Sequence, residues 1–241
     1  MWKRVVTYFV LTMIFTMTLG GLQQATGVAP MASIPQLGPA LGAIVTLLIF
    51  RKDGTKLNFR WPSFNGQSLL VTVLIPLGAA LIIFLLSKAF RLTGQAQIPL
   101  TALAYIWIPL GAIGEEIGWR GYLHKTLARK TPGWFSVLIV GVLWAAFHVQ
   151  MYQNGVVYLL FFFLLILSYT AVLYPLMIRT DFNILLAALF HTVINFSNLL
   201  YFNLLNDTRL MAINALVWLV AAGVVILRNK ALFLPGQSIK P

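Results

Sequence analysis

The chain has 241 residues, 60% of them hydrophobic and only 9% charged, against roughly 25% charged in an ordinary soluble domain. So few charges cannot cover a soluble surface of this size, so lipid must be the solvent for much of the chain. The net charge of +12 is spread between apolar runs rather than gathered in a basic tract. It therefore reads as membrane-topology charge and attraction to anionic headgroups, with no nucleic-acid partner. The chain has no cysteine, which excludes disulfides, thiolate nucleophiles and Cys-ligated metals.

In chain order, apolar segments long enough to span fall at about 5–22, 35–50, 68–87, 101–123, 134–151, 155–178, 182–204 and 210–227. The first follows Lys3 and Arg4 as a signal peptide would, but it is long for one and no convincing cleavage site follows; it reads as a retained helix. The segment 51–66 is the most polar loop, punctuated by Gly54, Pro62 and Gly66. With the N-terminus inside, 13 Lys and Arg fall on inner segments and 3 on outer ones, with Arg120 set aside as intramembrane. That asymmetry predicts an all-α, polytopic protein of about eight transmembrane helices with both termini cytoplasmic. No repeat or second domain is evident, so residues 1–241 read as one transmembrane domain.

The chain has five acidic residues, and its two glutamates are adjacent within the fourth apolar segment, in Gly114-Glu115-Glu116-Ile117-Gly118-Trp119-Arg120. A charge at the centre of a membrane helix costs about 2.5–3.5 kcal/mol on insertion scales, so three within six residues call for a function or a tight network. Glu116 and Arg120 are four apart and share a helix face, which suits a structural pair. Glu115 points about 100° away and is free to face a cavity as a general base. The competing expectation is an ion-paired helix that only packs against another.

His124 reads as an interfacial, headgroup-facing residue beside Lys125. His148 closes Trp144-Ala145-Ala146-Phe147-His148, with Trp144 on its own face. His191 and Asn195 are four apart in the seventh segment and point the same way. Either histidine alone could be interhelical hydrogen-bonding glue. Together with the diglutamate, on three helices of one small bundle, they suit amide hydrolysis. Glu115 and His148 can polarise a water, and His191 and Asn195 can donate to an oxyanion. A metal version also stands open, with Glu115, His148 and His191 as two imidazoles and a carboxylate around a divalent ion such as zinc. No H-E-x-x-H motif supports it. The inner-end depths of the three groups come closer if the fourth helix runs on to about residue 130, with tilt or a broken helix near Asp181 to absorb the rest.

These residues resemble the motifs of the CAAX prenyl protease and bacteriocin-processing family (CPBP, or Abi). Glu115-Glu116-x-x-x-Arg120-Gly121-x-Leu123 resembles its first motif, Trp144-x-x-x-His148 its second, which more often begins with phenylalanine, and His191-x-x-x-Asn195 its last. The resemblance covers about residues 101–200. It implies an eight-helix intramembrane endopeptidase, glutamate-type or metal-dependent, whose site is Glu115, Glu116, Arg120, His148, His191 and Asn195. The implied partners are the bilayer and a membrane-associated peptide or protein. The chain looks more like prokaryotic members, which implies a multi-pass protein of the cell membrane active in processing or bacteriocin immunity. Two other classes stay open at this point: a non-catalytic immunity protein and a proton- or ion-coupled transporter.

Overall fold

A computed structural model describes residues 1–28, 33–51, 54–61, 65–92, 102–199 and 206–234. Among them the chain forms eight long helical elements and no strand beyond one isolated bridge between Asn58 and Asn183. They are α1 (Trp2–Thr26), α2 (Gly38–Ile49, entered by a 3₁₀ turn Ile34–Leu37), α3 (Gly66–Ala89), α4 (102–128), α5 (Gly133–Phe147), α6 (Val156–Arg179), α7 (Ile184–Asn198) and α8 (Thr208–Arg228). Each expected span meets one of these helices. Residue 101 and residues 200–204 of two expected spans lie outside the described residues, as do Lys52, Asp53, Pro62 and Lys240.

At about 1.5 Å per residue, α1, α3, α6 and α8, of 25, 24, 24 and 21 residues, are long enough to cross a hydrocarbon core about 30 Å thick. Their outward faces carry exposed Val6, Val10, Leu81, Leu85, Val220 and Leu227, as lipid contact requires. The shorter α5 and α7 sit among the others, with most of their inner residues buried.

One end of the bundle collects the basic loops. Trp2 packs edge-on to Phe135. Arg179 donates to Asn229 Oδ1 at 2.6 Å. Lys125 pairs with Asp181 Oδ2 at 2.9 Å and donates to the Lys56 carbonyl at 3.0 Å. The polar loop is docked onto the α6–α7 turn: Asn58 donates to the Thr180 carbonyl at 3.0 Å, Asn183 donates to the Arg60 carbonyl at 2.8 Å, and Ile184 N–H donates to Asn58 O at 2.9 Å. That turn needs the support. Asp181 and Phe182 both adopt the left-handed region, at φ 50° and 55°, which a bulky residue seldom occupies. Asn183 then caps α7 by accepting from Leu186 N–H at 3.1 Å.

Small residues bring α1, α2 and α4 together. Gly38 and Gly42, four apart on α2, lie against the backbone of Thr16 and Thr12 of α1. On the other side of α2, Gly114 faces the Gln36 carbonyl and Gly118 faces the Pro39 carbonyl and the Tyr8 hydroxyl. This is close small-xxx-small packing of the kind that lets membrane helices approach without a hydrophobic drive. Gly118→Ala would push a methyl into backbone and should lower stability by about 1–3 kcal/mol. Thermal unfolding in detergent checks it, with Gly78→Ala, in open space, as the silent control.

Candidate active site

The fourth apolar segment is longer than expected at its inner end. Ala102–Glu116 is α-helical, Ile117–His124 is π-helical and Lys125–Ala128 closes the element as α-helix. Wide turns of this kind recur at functional sites in helices. The extension follows the reading that takes the fourth helix on toward residue 130. The Lys125–Asp181 pair sets antiparallel α4 and α7 at one level, and Glu115 and His191 each lie ten residues from it.

Glu116 Oε1 is the meeting point. It accepts from Arg120 Nη1 at 2.9 Å and from His191 Nδ1 at 2.9 Å, with all three side chains buried. The Glu116–Arg120 pair expected from i,i+4 spacing is therefore present. Arg120 also lies over the Trp144 ring, 3.9 Å from its centroid, a cation–π contact that is stronger away from water. The Trp144 indole N–H donates to Glu115 Oε2 at 2.8 Å. Trp144 packs against His148 as expected, at 6.0 Å between centroids, and against His191 at 5.5 Å.

The hydrogen bonds fix both tautomers. α5 stops at Phe147, which orphans the Trp144 carbonyl, and His148 Nδ1 meets it at 2.7 Å. A carbonyl only accepts, so Nδ1 carries the proton and Nε2 of a neutral ring offers a lone pair. His191 Nδ1 likewise faces an acceptor shared with Arg120, so it carries the proton. His191 Nε2 can therefore donate only when the ring is an imidazolium.

Glu115, Trp144, His148, His191 and Asn195 line one cavity of about 370 Å³. Glu116 and Arg120 stand behind its wall. All six sequence-predicted residues are thus brought together. The indole bond to Glu115 was not foreseen; residue type alone gave no sign of it. Two further cavity residues, Asn198 and Asn214, left a signal: the first lies three positions past Asn195, and the second is an isolated amide in an apolar helix.

His124 departs from expectation. It is 1% exposed, stacked on Tyr174 at 5.1 Å and edge-on to Phe182 at 5.5 Å, not headgroup-facing. The continuation of α4 to Ala128 carries it into the bundle.

For a metal, the donor chemistry is suggestive: two imidazole Nε2 atoms whose opposite nitrogens are held by a carboxylate and a carbonyl. The geometry does not fit a three-ligand centre, since no three His, Asp or Glu side chains among the described residues gather around one point. Glu115, His148 and His191 share a cavity without converging on one point.

The fold and site define a class: an all-α, polytopic membrane protein with carboxylate, imidazole and amide groups around one cavity within the helix bundle. Residues 94–197 match the model of the Rce1-like family, described as type II CAAX prenyl endopeptidases. The chain is also 26% identical over 170 residues to CAAX prenyl protease 2 of Methanococcus maripaludis, a match covering 66% of this chain and 60% of that one. The family match falls on the part of the chain that carries the three motifs, and both likenesses agree with the resemblance read from those residues.

Arg120→Leu strands the Glu116 carboxylate and should destabilise the protein by about 3–5 kcal/mol. Glu116→Leu added to it should recover much of that loss, because the two charges leave together. Unfolding of both variants in detergent measures the difference.

Proposed function

We propose that this protein is an intramembrane endopeptidase that hydrolyses a peptide bond of a membrane-associated protein or peptide. The observation that carries this reading is the placement of Glu115 and the free Nε2 of His148 on one cavity that also presents the Asn195 amide. One oxygen of Glu115 is held by the Trp144 indole, which leaves the other to accept from water.

In this mechanism a water donates one hydrogen bond to Glu115 and one to His148 Nε2. Glu115 takes the proton as the water oxygen attacks the substrate carbonyl. The oxyanion is stabilised by the Asn195 N–H and by His191 when its ring is protonated, with Glu116 compensating that charge. Glu115 then returns the proton to the departing amine as the C–N bond breaks, so no serine or cysteine is required. Glu116 and Arg120 hold His191 and Trp144 in place. The relative in Methanococcus maripaludis is named for CAAX prenyl substrates; for this chain the reading stops at a membrane-associated protein. The charge asymmetry supports a topology with both termini in the cytoplasm, and the family resemblance, not the charge, supports a cell-membrane protein of prokaryotic type.

Detergent-purified protein incubated with quenched membrane-peptide substrates tests the reading, with a chelator arm. Wild type should cleave, and Glu115→Gln and His148→Ala should each lose at least about a hundredfold in rate. Asn195→Ala should lose about 10²–10³ in kcat. Full activity in Glu115→Gln would sink the general-base assignment. Loss of wild-type activity with chelator, restored by added metal, would replace the metal-free mechanism. Inactive but well-folded wild type across a broad substrate set would favour a protein that binds without cutting.

A further inference from the structure

Asn214 is the only amide, hydroxyl or charged side chain between Arg209 and Arg228 of α8. It sits on the inward face with buried Met211, Ala215 and Trp218. The residue is 5% exposed, its carboxamide makes no hydrogen bond among the described residues, and its Oδ1 is wholly buried without a partner. Buried polar groups are nearly always satisfied, and an exception calls for a cause. Interhelical glue is the usual role of an asparagine in a membrane helix, and it needs a partner that Asn214 does not find among the described residues.

What Asn214 does face is the active-site cavity. Asn198 lines the same space, three residues beyond Asn195 on α7. A smaller space of about 10 Å³ beside Asn198 and Asn214 has room for at most one water.

The chemistry of the ligand follows from the reaction. A peptide bond inside an intact helix is shielded, so a substrate segment must unwind to be cut. Unwinding frees backbone N–H and C=O groups where no bulk water can satisfy them, which lipid forbids and only protein partners make tolerable. A carboxamide offers one acceptor and one donor head, the complement of a peptide group.

We infer that Asn214, with Asn198 beside it, forms a main-chain subsite that hydrogen-bonds a peptide group of the unwound substrate next to the scissile bond. This rests on the peptidase reading for its substrate. It assigns Asn214 to substrate binding and not to the chemical step, and it makes recognition at this point depend on substrate backbone rather than side chain.

The test uses the full-length protein with Glu115→Gln, so that nothing turns over. The probe is a fluorescent hydrophobic peptide with a Gly-Gly centre, together with analogues each N-methylated at one central amide. Binding in detergent is followed by anisotropy, with and without Asn214→Leu. One analogue should bind about three- to tenfold more weakly than the parent, and Asn214→Leu should abolish that difference while leaving the unfolding midpoint unchanged or higher. Equal penalties in both backgrounds, no sensitivity to N-methylation, or no binding would overturn the subsite. So would a lowered midpoint in Asn214→Leu, which would show that the amide holds a structural partner such as a buried water. Cleavage of the parent peptide by protein with Glu115 intact is scored separately. Coupled binding without cleavage would sink the peptidase reading and leave the subsite standing.

Discussion

The cost of holding charge where water is scarce governs this structure. An isolated ion at the centre of a bilayer is expensive, and the expense falls only when opposite charges and donors surround it. Glu116 meets that demand with one oxygen that accepts from both Arg120 and His191. The same contacts tie α4 to α7. Arg120, lying over Trp144, ties α4 to α5. The pairing that makes the charges tolerable thus gathers the three helices that carry the site.

This network separates two jobs that adjacent carboxylates could otherwise confuse. Glu116 is consumed by its neighbours, while Glu115 looks into the cavity with one oxygen fixed by an indole N–H. The division depends on the winding of α4. A π-helical stretch begins at Ile117, directly after the diglutamate, and Gly114 and Gly118 press against the 3₁₀ turn at Gln36 and Leu37, against Pro39 of α2 and against Tyr8 of α1. Close packing on that side leaves the carboxylates and Arg120 facing α5 and α7.

The imidazoles are held by their Nδ1 atoms, so the Nε2 atoms are the ones left for chemistry. The two rings are not equivalent. His148 is tied to a neutral carbonyl at the end of a helix and offers a lone pair. His191 is tied to a carboxylate that can compensate a positive ring. In the proposed mechanism the first accepts from water and the second donates once protonated.

Much of this was legible in the residues themselves. Apolar run lengths and basic loop asymmetry follow from the solvent the chain must live in, and they pointed to the all-α, polytopic class and to where its helices fall. Spacing of three and four residues determined that Glu116 faces Arg120 and that His191 and Asn195 share a face, because an α-helical repeat is a local property. Which helices meet is not local. Only the tertiary structure decided that α4 runs on to Ala128 and buries His124, that the Trp144 indole reaches Glu115, and that Asn214 stands at the cavity without a partner among the described residues. Those outcomes depend on contacts between residues far apart in sequence, on the wider π winding that shifts every later side chain around the axis, and on glycine-lined approaches whose closeness no single segment encodes.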